Sequence, residues 1–306
     1  MSYIIKTSRL TKAYEGKEIV SDFNMNVKKG EIYGFLGPNG AGKTSVMRML
    51  MNLVKPTSGE IELFNEPLTN TSYEVFQRIG SMIEYPVFYE KLSAKENLDL
   101  HCEYMGYYNK NSIGEALEMV GLRNINEKPV KSFSLGMKQR LGIARAIITK
   151  PELLILDEPV NGLDPVGIKE IRNLFQMLSK EYGITLLISS HLLSEIEQIA
   201  NTIGVISNGR LIEEVSMNYI KEQKTDYVQL VSKDHKKACF VLENILNISN
   251  FKVVAEDTIR IYESEVSQTV ISKKLIENNV GIESISKHNI SLEEYFLNLI
   301  QQGKAG

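Results

Sequence analysis

The chain has 306 residues, 43% of them hydrophobic and 24% charged, with a net charge of −3 at pH 7. That length allows two domains or one large one with an ample buried core, and the balance is that of a soluble globular protein. The charge supplies no polycationic surface of the kind that nucleic acid would require.

In chain order, residues 3–36 alternate enough to read as strands, ending in the apolar run Ile32–Leu36. Gly37-Pro38-Asn39-Gly40-Ala41-Gly42-Lys43-Thr44 follows, a complete G-x-x-x-x-G-K-[ST] phosphate-binding loop, and Ser45–Leu53 reads as the helix it opens. Strand, glycine-rich loop and helix are the context this motif needs. Gly37, Asn39, Gly40, Gly42 and Ser45 would shape a cradle whose N–H groups point at phosphate oxygens, aided by the helix N-terminus. Lys43 would reach the β- and γ-phosphates of ATP, and the Thr44 hydroxyl would hold Mg²⁺. A Pro56–Gly59 turn then leads to a strand over Glu60–Phe64.

From about 86 to 150 the pattern is helical, with Ile113, Leu117 and Val120 on one face. Leu153–Leu156 is an apolar strand ending in Asp157 and Glu158; a carboxylate at such a strand mouth can hold Mg²⁺ through water. Ile168, Ile171, Phe175 and Leu178 form one buried helical stripe, and Ile184–Ser190 is another buried strand, followed by His191. Strand–helix alternation of this kind implies an α/β core of parallel strands. A polar stretch at Lys221–Lys224 suits a linker. Beyond it the order strand, helix, strand, strand, helix, strand suggests a small α+β, ferredoxin-like layer. A last amphipathic helix over Leu292–Ile300 either closes that layer or docks on a partner's tail. The expected domains are therefore 1–220, with a helical subdomain at 86–150, and 225–306.

Two distant cysteines, Cys102 and Cys239, make neither a disulfide framework nor a zinc site, and a reducing compartment suits them. No apolar run approaches the ~20 residues of a spanning helix. The start of the chain, Met1–Lys6, lacks the basic region and apolar stretch of a secretion signal.

Three stretches occur in one order: the phosphate loop, Ser132-Phe133-Ser134-Leu135-Gly136-Met137-Lys138-Gln139-Arg140, and Leu153-Leu154-Ile155-Leu156-Asp157-Glu158. Together they resemble the ATP-binding subunits of ATP-binding-cassette (ABC) transporters, over roughly residues 1–215. Leu135 and Met137 depart from the family's usual Leu-Ser-Gly-Gly-Gln signature, while Ser134 and Gly136 keep its serine and second glycine. The resemblance implies a P-loop ABC ATPase core with a helical subdomain, and assigns roles residue by residue. Glu158 would polarise the attacking water, and His191 would hydrogen-bond the γ-phosphate and orient that water. Tyr14 would stack on adenine, and Asp164 would belong to the turn after the acidic pair. Ser134 and Gly136 would complete the site of a second copy, in a head-to-tail homodimer. Transport would need separate transmembrane permease subunits, which would hold this cytoplasmic chain at the inner face of the cell membrane.

Glu84, in Ile79-Gly80-Ser81-Met82-Ile83-Glu84-Tyr85-Pro86, stands where most cassettes have a glutamine that touches Mg²⁺ and the membrane subunit. Glutamate keeps the acceptor oxygen, adds charge and loses the amide donors, and a carboxylate suits a hard divalent cation. With this variant, the chain is similar to the ATPases of lantibiotic-immunity and bacitracin-resistance transporters. An exporter ATPase for another cargo is the alternative. Soluble cassettes acting on DNA or ribosomes carry long coiled coils, zinc sites or two cassettes per chain, and none of these is present.

Overall fold

The computed structural model describes residues 2–109, 111–125, 127–222, 226–262, 266–289 and 296. The chain divides into two compact units, one built on Met1–Asn218 and the other on Tyr219–Asn298.

The first unit is organised by Ile32–Leu36, a strand buried at all five positions. It is the third strand of a six-stranded sheet, in the order Arg210–Ser216, Thr202–Ser207, Ile32–Leu36, Thr185–Ser190, Leu153–Leu156, Ile79–Met82. Every pairing is parallel except the edge hairpin made by the first two. Strands buried on both faces need near-continuous apolar sequence, which Leu153–Leu156 and residues 186–188 supply. The registers Leu36↔Ser190, Leu156↔Ile188 and Met82↔Leu156 align the carboxyl ends of four strands along one edge. The phosphate loop, His191, the acidic pair and Glu84 all follow those ends, where open parallel sheets place ligands.

A second, five-stranded antiparallel sheet was not specified by the sequence reading beyond its strands. It contains Tyr3–Tyr14, Lys17–Phe23, Asn26–Lys28, Ser58–Leu63 and Glu66–Pro67. Its first hairpin turns through Glu15 and Gly16, at φ 49° and 82°, the left-handed pair that a tight two-residue hairpin requires. The helix Lys43–Leu50 packs through Val46, Met47 and Leu50 into one core shared by both sheets, where Phe23 meets Phe35 edge-on at 5.6 Å.

The helical part comprises Ala94–Met105, Ser112–Met119 and Leu135–Ile147. The first is started by a capping box, Ser93 accepting from the Glu96 N–H and Glu96 accepting from the Ser93 N–H. The third lies against Ile79–Met82 so closely that a Cβ at Gly80 would stand 1.9 Å from the Ala146 carbonyl oxygen.

The second unit has the elements Asp226–Val231, His235–Asn244, Phe251–Ala255, Thr258–Ile261, Gln268–Glu277 and Ser284–Asn289. Its four strands form one antiparallel sheet in which Asp226–Val231 lies between Thr258–Ile261 and Ser284–Asn289. Leu242, Ile271 and Leu275 of its two helices pack with Leu230 and Ile261 of the sheet. The helix expected over Leu292–Ile300 lies outside the described residues, apart from Phe296.

Candidate nucleotide site

Ile32–Leu36 delivers the chain into the phosphate loop at full burial, and the loop must then curl back within a few residues. Gly40 and Gly42 make that possible at φ 80° and 109°, a backbone region that costs side-chain-bearing residues energy. Asn39–Ser45, with Ile19 and Glu158, line a cavity of about 230 Å³ at the start of the helix. Ile19 comes from the antiparallel sheet, so that sheet forms one wall. Gly37 is fixed from the other side, since a Cβ there would stand 2.5 Å from the Ile206 carbonyl oxygen.

Lys43 is almost fully buried, and its ammonium donates to the carbonyls of Gly37 at 2.7 Å and Pro38 at 3.4 Å. Its third partner is the Glu158 carboxylate, 3.3 Å away. A buried ammonium needs this complete set, because an unpaired charge in the interior is costly. The other Glu158 oxygen contacts His191 Nδ1 at 2.8 Å. Glu158 itself sits at φ 48°, and its N–H donates to Ser189 Oγ at 2.9 Å.

Asp157 is held from two sides. Thr44 Oγ1 donates to its Oδ2 at 2.7 Å, and Ser189 Oγ donates to its Oδ1 at 2.5 Å. A threonine hydroxyl beside a carboxylate is a hard oxygen pair, and among the described residues no cluster of three or more His, Cys, Asp or Glu side chains could form a metal cage. That donor set fits Mg²⁺, which keeps water and phosphate oxygens in most of its positions. Glu195 adjoins the site: burial pushes its pKa up, a hydrogen bond from Ser190 at 2.6 Å opposes this, and the Glu158 charge adds to the rise.

The remaining expected residues lie apart from this cluster. Tyr14 ends its strand half exposed, with the Lys12 ammonium 4.8 Å from its ring centre. Ser134 caps the helix Leu135–Ile147 by accepting from the Met137 N–H, and Gly136 lies against Leu163. Neither lines the phosphate cavity. Asp164 caps the helix Pro165–Lys180, its Oδ1 accepting from the Gly167 N–H at 2.7 Å. Glu84 has left-handed backbone, at φ 62°, and its carboxylate pairs with Arg48 at 2.5 Å, with no contact to Thr44 or Asp157. Ser189, Gln139 and Arg48 had no role in the sequence reading. The serine pair ending an otherwise apolar strand was the available signal for Ser189. Nothing local marked Gln139, whose buried amide donates to the Glu158 carbonyl oxygen at 3.3 Å from another element.

A parallel sheet whose strand ends gather a lysine-bearing phosphate loop, a threonine–aspartate pair and a glutamate–histidine pair defines a nucleotide-hydrolysing cassette. The model of the ABC transporter family matches residues 20–161. The chain is 68% identical, over 98% of both chains, to the ABC transporter ATP-binding protein YcbN of Bacillus subtilis. It is 48% identical, over the whole of both chains, to the bacitracin transport ATP-binding protein BcrA of Bacillus licheniformis. It is 46% identical to the lantibiotic transport ATP-binding protein SrtF of Streptococcus pyogenes, over 69% of this chain and 90% of that one. A solved ATP-binding cassette, dimeric in a post-hydrolysis state with ADP and Pi, superposes with TM-score 0.64 at 25% identity, covering 70% of this chain and 98% of that chain. CbiO1 of Clostridium perfringens gives 0.65 at 27% identity, over 81% and 98%. The chain belongs to the ATP-binding subunits of ABC transporters. It is an ATPase of the type that works as a dimer with transmembrane partners. No helix among the described residues is long and apolar enough to cross a membrane.

Proposed function

We propose that this subunit hydrolyses Mg-ATP to expel, or protect against, a membrane-active antimicrobial peptide of the bacitracin or lantibiotic type. The observation that carries the cargo is the match along the whole chain to a bacitracin transport ATP-binding protein, 48% identical through both compact units. The lantibiotic relative matches over 69% of the chain, which favours the bacitracin class.

In this reading the cradle Gly37–Ser45 takes the phosphates and Lys43 moves from Glu158 to the β- and γ-oxygens. Thr44 and Asp157 hold Mg²⁺, with Glu84 as a further oxygen. Glu158 then has a free carboxylate oxygen for the attacking water, which His191 orients. Tyr14 stacks on adenine at the rim. Ser134 and Gly136 of one copy, with Asp164 nearby, close over the γ-phosphate held by a second copy. Their distance from the loop of their own chain supports that sharing between two identical subunits. The pair sits at the inner face of the cell membrane on separate permease subunits, and the unit from 225 onward serves as an accessory domain.

The test is survival of a sensitive host carrying this chain with its neighbouring permease, challenged with bacitracin and with a nisin-like peptide, beside a Glu158→Gln control. Protection that the control lacks supports the proposal. An expressed, ATP-hydrolysing complex that protects against neither peptide overturns the cargo and leaves an exporter for another substrate.

A further inference from the structure

Thr44 and Arg48 stand four residues apart on the helix Lys43–Leu50, so both side chains share one face, about 6 Å apart along the axis. The Glu84 carboxylate is bound to the far member of that pair, Arg48. Its backbone is nonetheless anchored beside the acidic pair: Ile79–Met82 runs in register with Leu153–Leu156, and the Met82 carbonyl accepts from the Asp157 N–H at 2.8 Å. Glu84 follows two residues later, in the left-handed backbone region that glutamate seldom occupies without cause. Its side chain can therefore address either Arg48 or the Thr44–Asp157 oxygens, one helical turn apart. A glutamine at this position would have no charge for Arg48 to hold.

We propose that Arg48 is a positioning residue that draws Glu84 away from the Thr44–Asp157 oxygens and competes with the divalent cation for its carboxylate. This rests on the Mg-ATP reading above. Loading the site then includes breaking the Arg48–Glu84 pair, and the pair raises the cation concentration the subunit needs. Arg48 and Glu84 are both substantially exposed, so the competition is between modest terms. An exposed pair shifts an equilibrium by about two- to fivefold.

The experiment measures binding of a non-hydrolysable fluorescent ATP analogue to the full chain while Mg²⁺ is titrated, with thermal unfolding recorded for each variant. Arg48→Ala is expected to lower the half-saturating Mg²⁺ by about two- to fivefold, and Arg48→Lys to leave it near the parent value. In a Glu84→Ala background, Arg48→Ala should change nothing. Unchanged Mg²⁺ dependence in Arg48→Ala, or the same shift without Glu84, overturns the inference while Mg-ATP binding stands. Parent binding that ignores Mg²⁺ overturns the Mg-ATP reading and the inference with it. If Arg48→Ala unfolds early, Arg48→Gln replaces it in the same titration.

Discussion

Both carboxylate oxygens of Glu158 are engaged, one by Lys43 and one by His191. A nucleotide that draws off Lys43 would therefore also free one of these oxygens. Glu158→Gln keeps the side chain's length and an acceptor oxygen but cannot take a proton. It should still bind ATP, with turnover lower by about 10²–10⁴-fold, the usual worth of a general base, in a phosphate-release assay; normal turnover would end the assignment. Ser189 makes a second prediction. It is fully buried, donates to Asp157 and accepts from the Glu158 N–H, so Ser189→Ala takes a hydrogen-bond donor from the buried Asp157 carboxylate and the acceptor from the Glu158 N–H. The expected loss is about 1–3 kcal/mol of stability, read by denaturant unfolding, together with reduced ATPase activity. The phosphate loop, Asp157, Glu158 and His191 were legible as residues that follow buried strands, because each comes after a short, largely apolar run. Ser189, Gln139 and Arg48 were not, because each acts on a residue brought to it only by sheet register or helix packing.

At the scale of elements, the helix Leu135–Ile147 and the strand Ile79–Met82 meet through small residues. Gly142 would place a Cβ 2.6 Å from Met82 Sδ, and Gly80 faces Ala146 more closely still. The helix that begins at Ser134 thus bears on the strand that leads to Glu84. Gly80→Ala should force the two apart and cost about 1–3 kcal/mol, seen as a lower unfolding midpoint; an unchanged midpoint would refute the contact. The two sheets are joined by a different device. Glu214, on the edge strand Arg210–Ser216, accepts from Tyr33 Oη at 2.9 Å and from the Asn26 N–H at 3.0 Å, linking strands of both sheets. Burial pushes the Glu214 pKa up, the two hydrogen bonds oppose that, and neighbouring Glu31 adds to the rise. A carboxyl group with a raised folded pKa contributes stability below its unfolded pKa and loses it as pH rises through the folded value. Glu214→Gln keeps the acceptor oxygen without the charge, so its stability relative to the parent should increase between mildly acidic and neutral pH. A constant difference across that range would show that Glu214 does not titrate as stated. These packings were invisible in advance, since nothing in the local text around Gly80 or Glu214 names the partner.

For the whole molecule, the separation of Ser134 from the phosphate cavity has a consequence in solution. Glu158→Gln with ATP should sediment as a dimer, and Ser134→Arg in the same chain should return it to monomer while leaving nucleotide bound. Dimers that ignore Ser134 would exclude the shared site. The sequence by itself determined the cassette and the order of its motifs, because phosphate binding needs a contiguous loop whose geometry is written in glycines, and buried parallel strands need unbroken apolar runs. It also set the succession of the last unit, strand, helix, strand, strand, helix, strand. Tertiary structure alone decided that Ser189 bridges the acidic pair, that Gly80 seats a helix, and that Glu84 rests on Arg48. Each of these joins residues far apart in the chain, and a hydrogen bond or a close approach is specified by where two backbones lie, which local pattern does not encode.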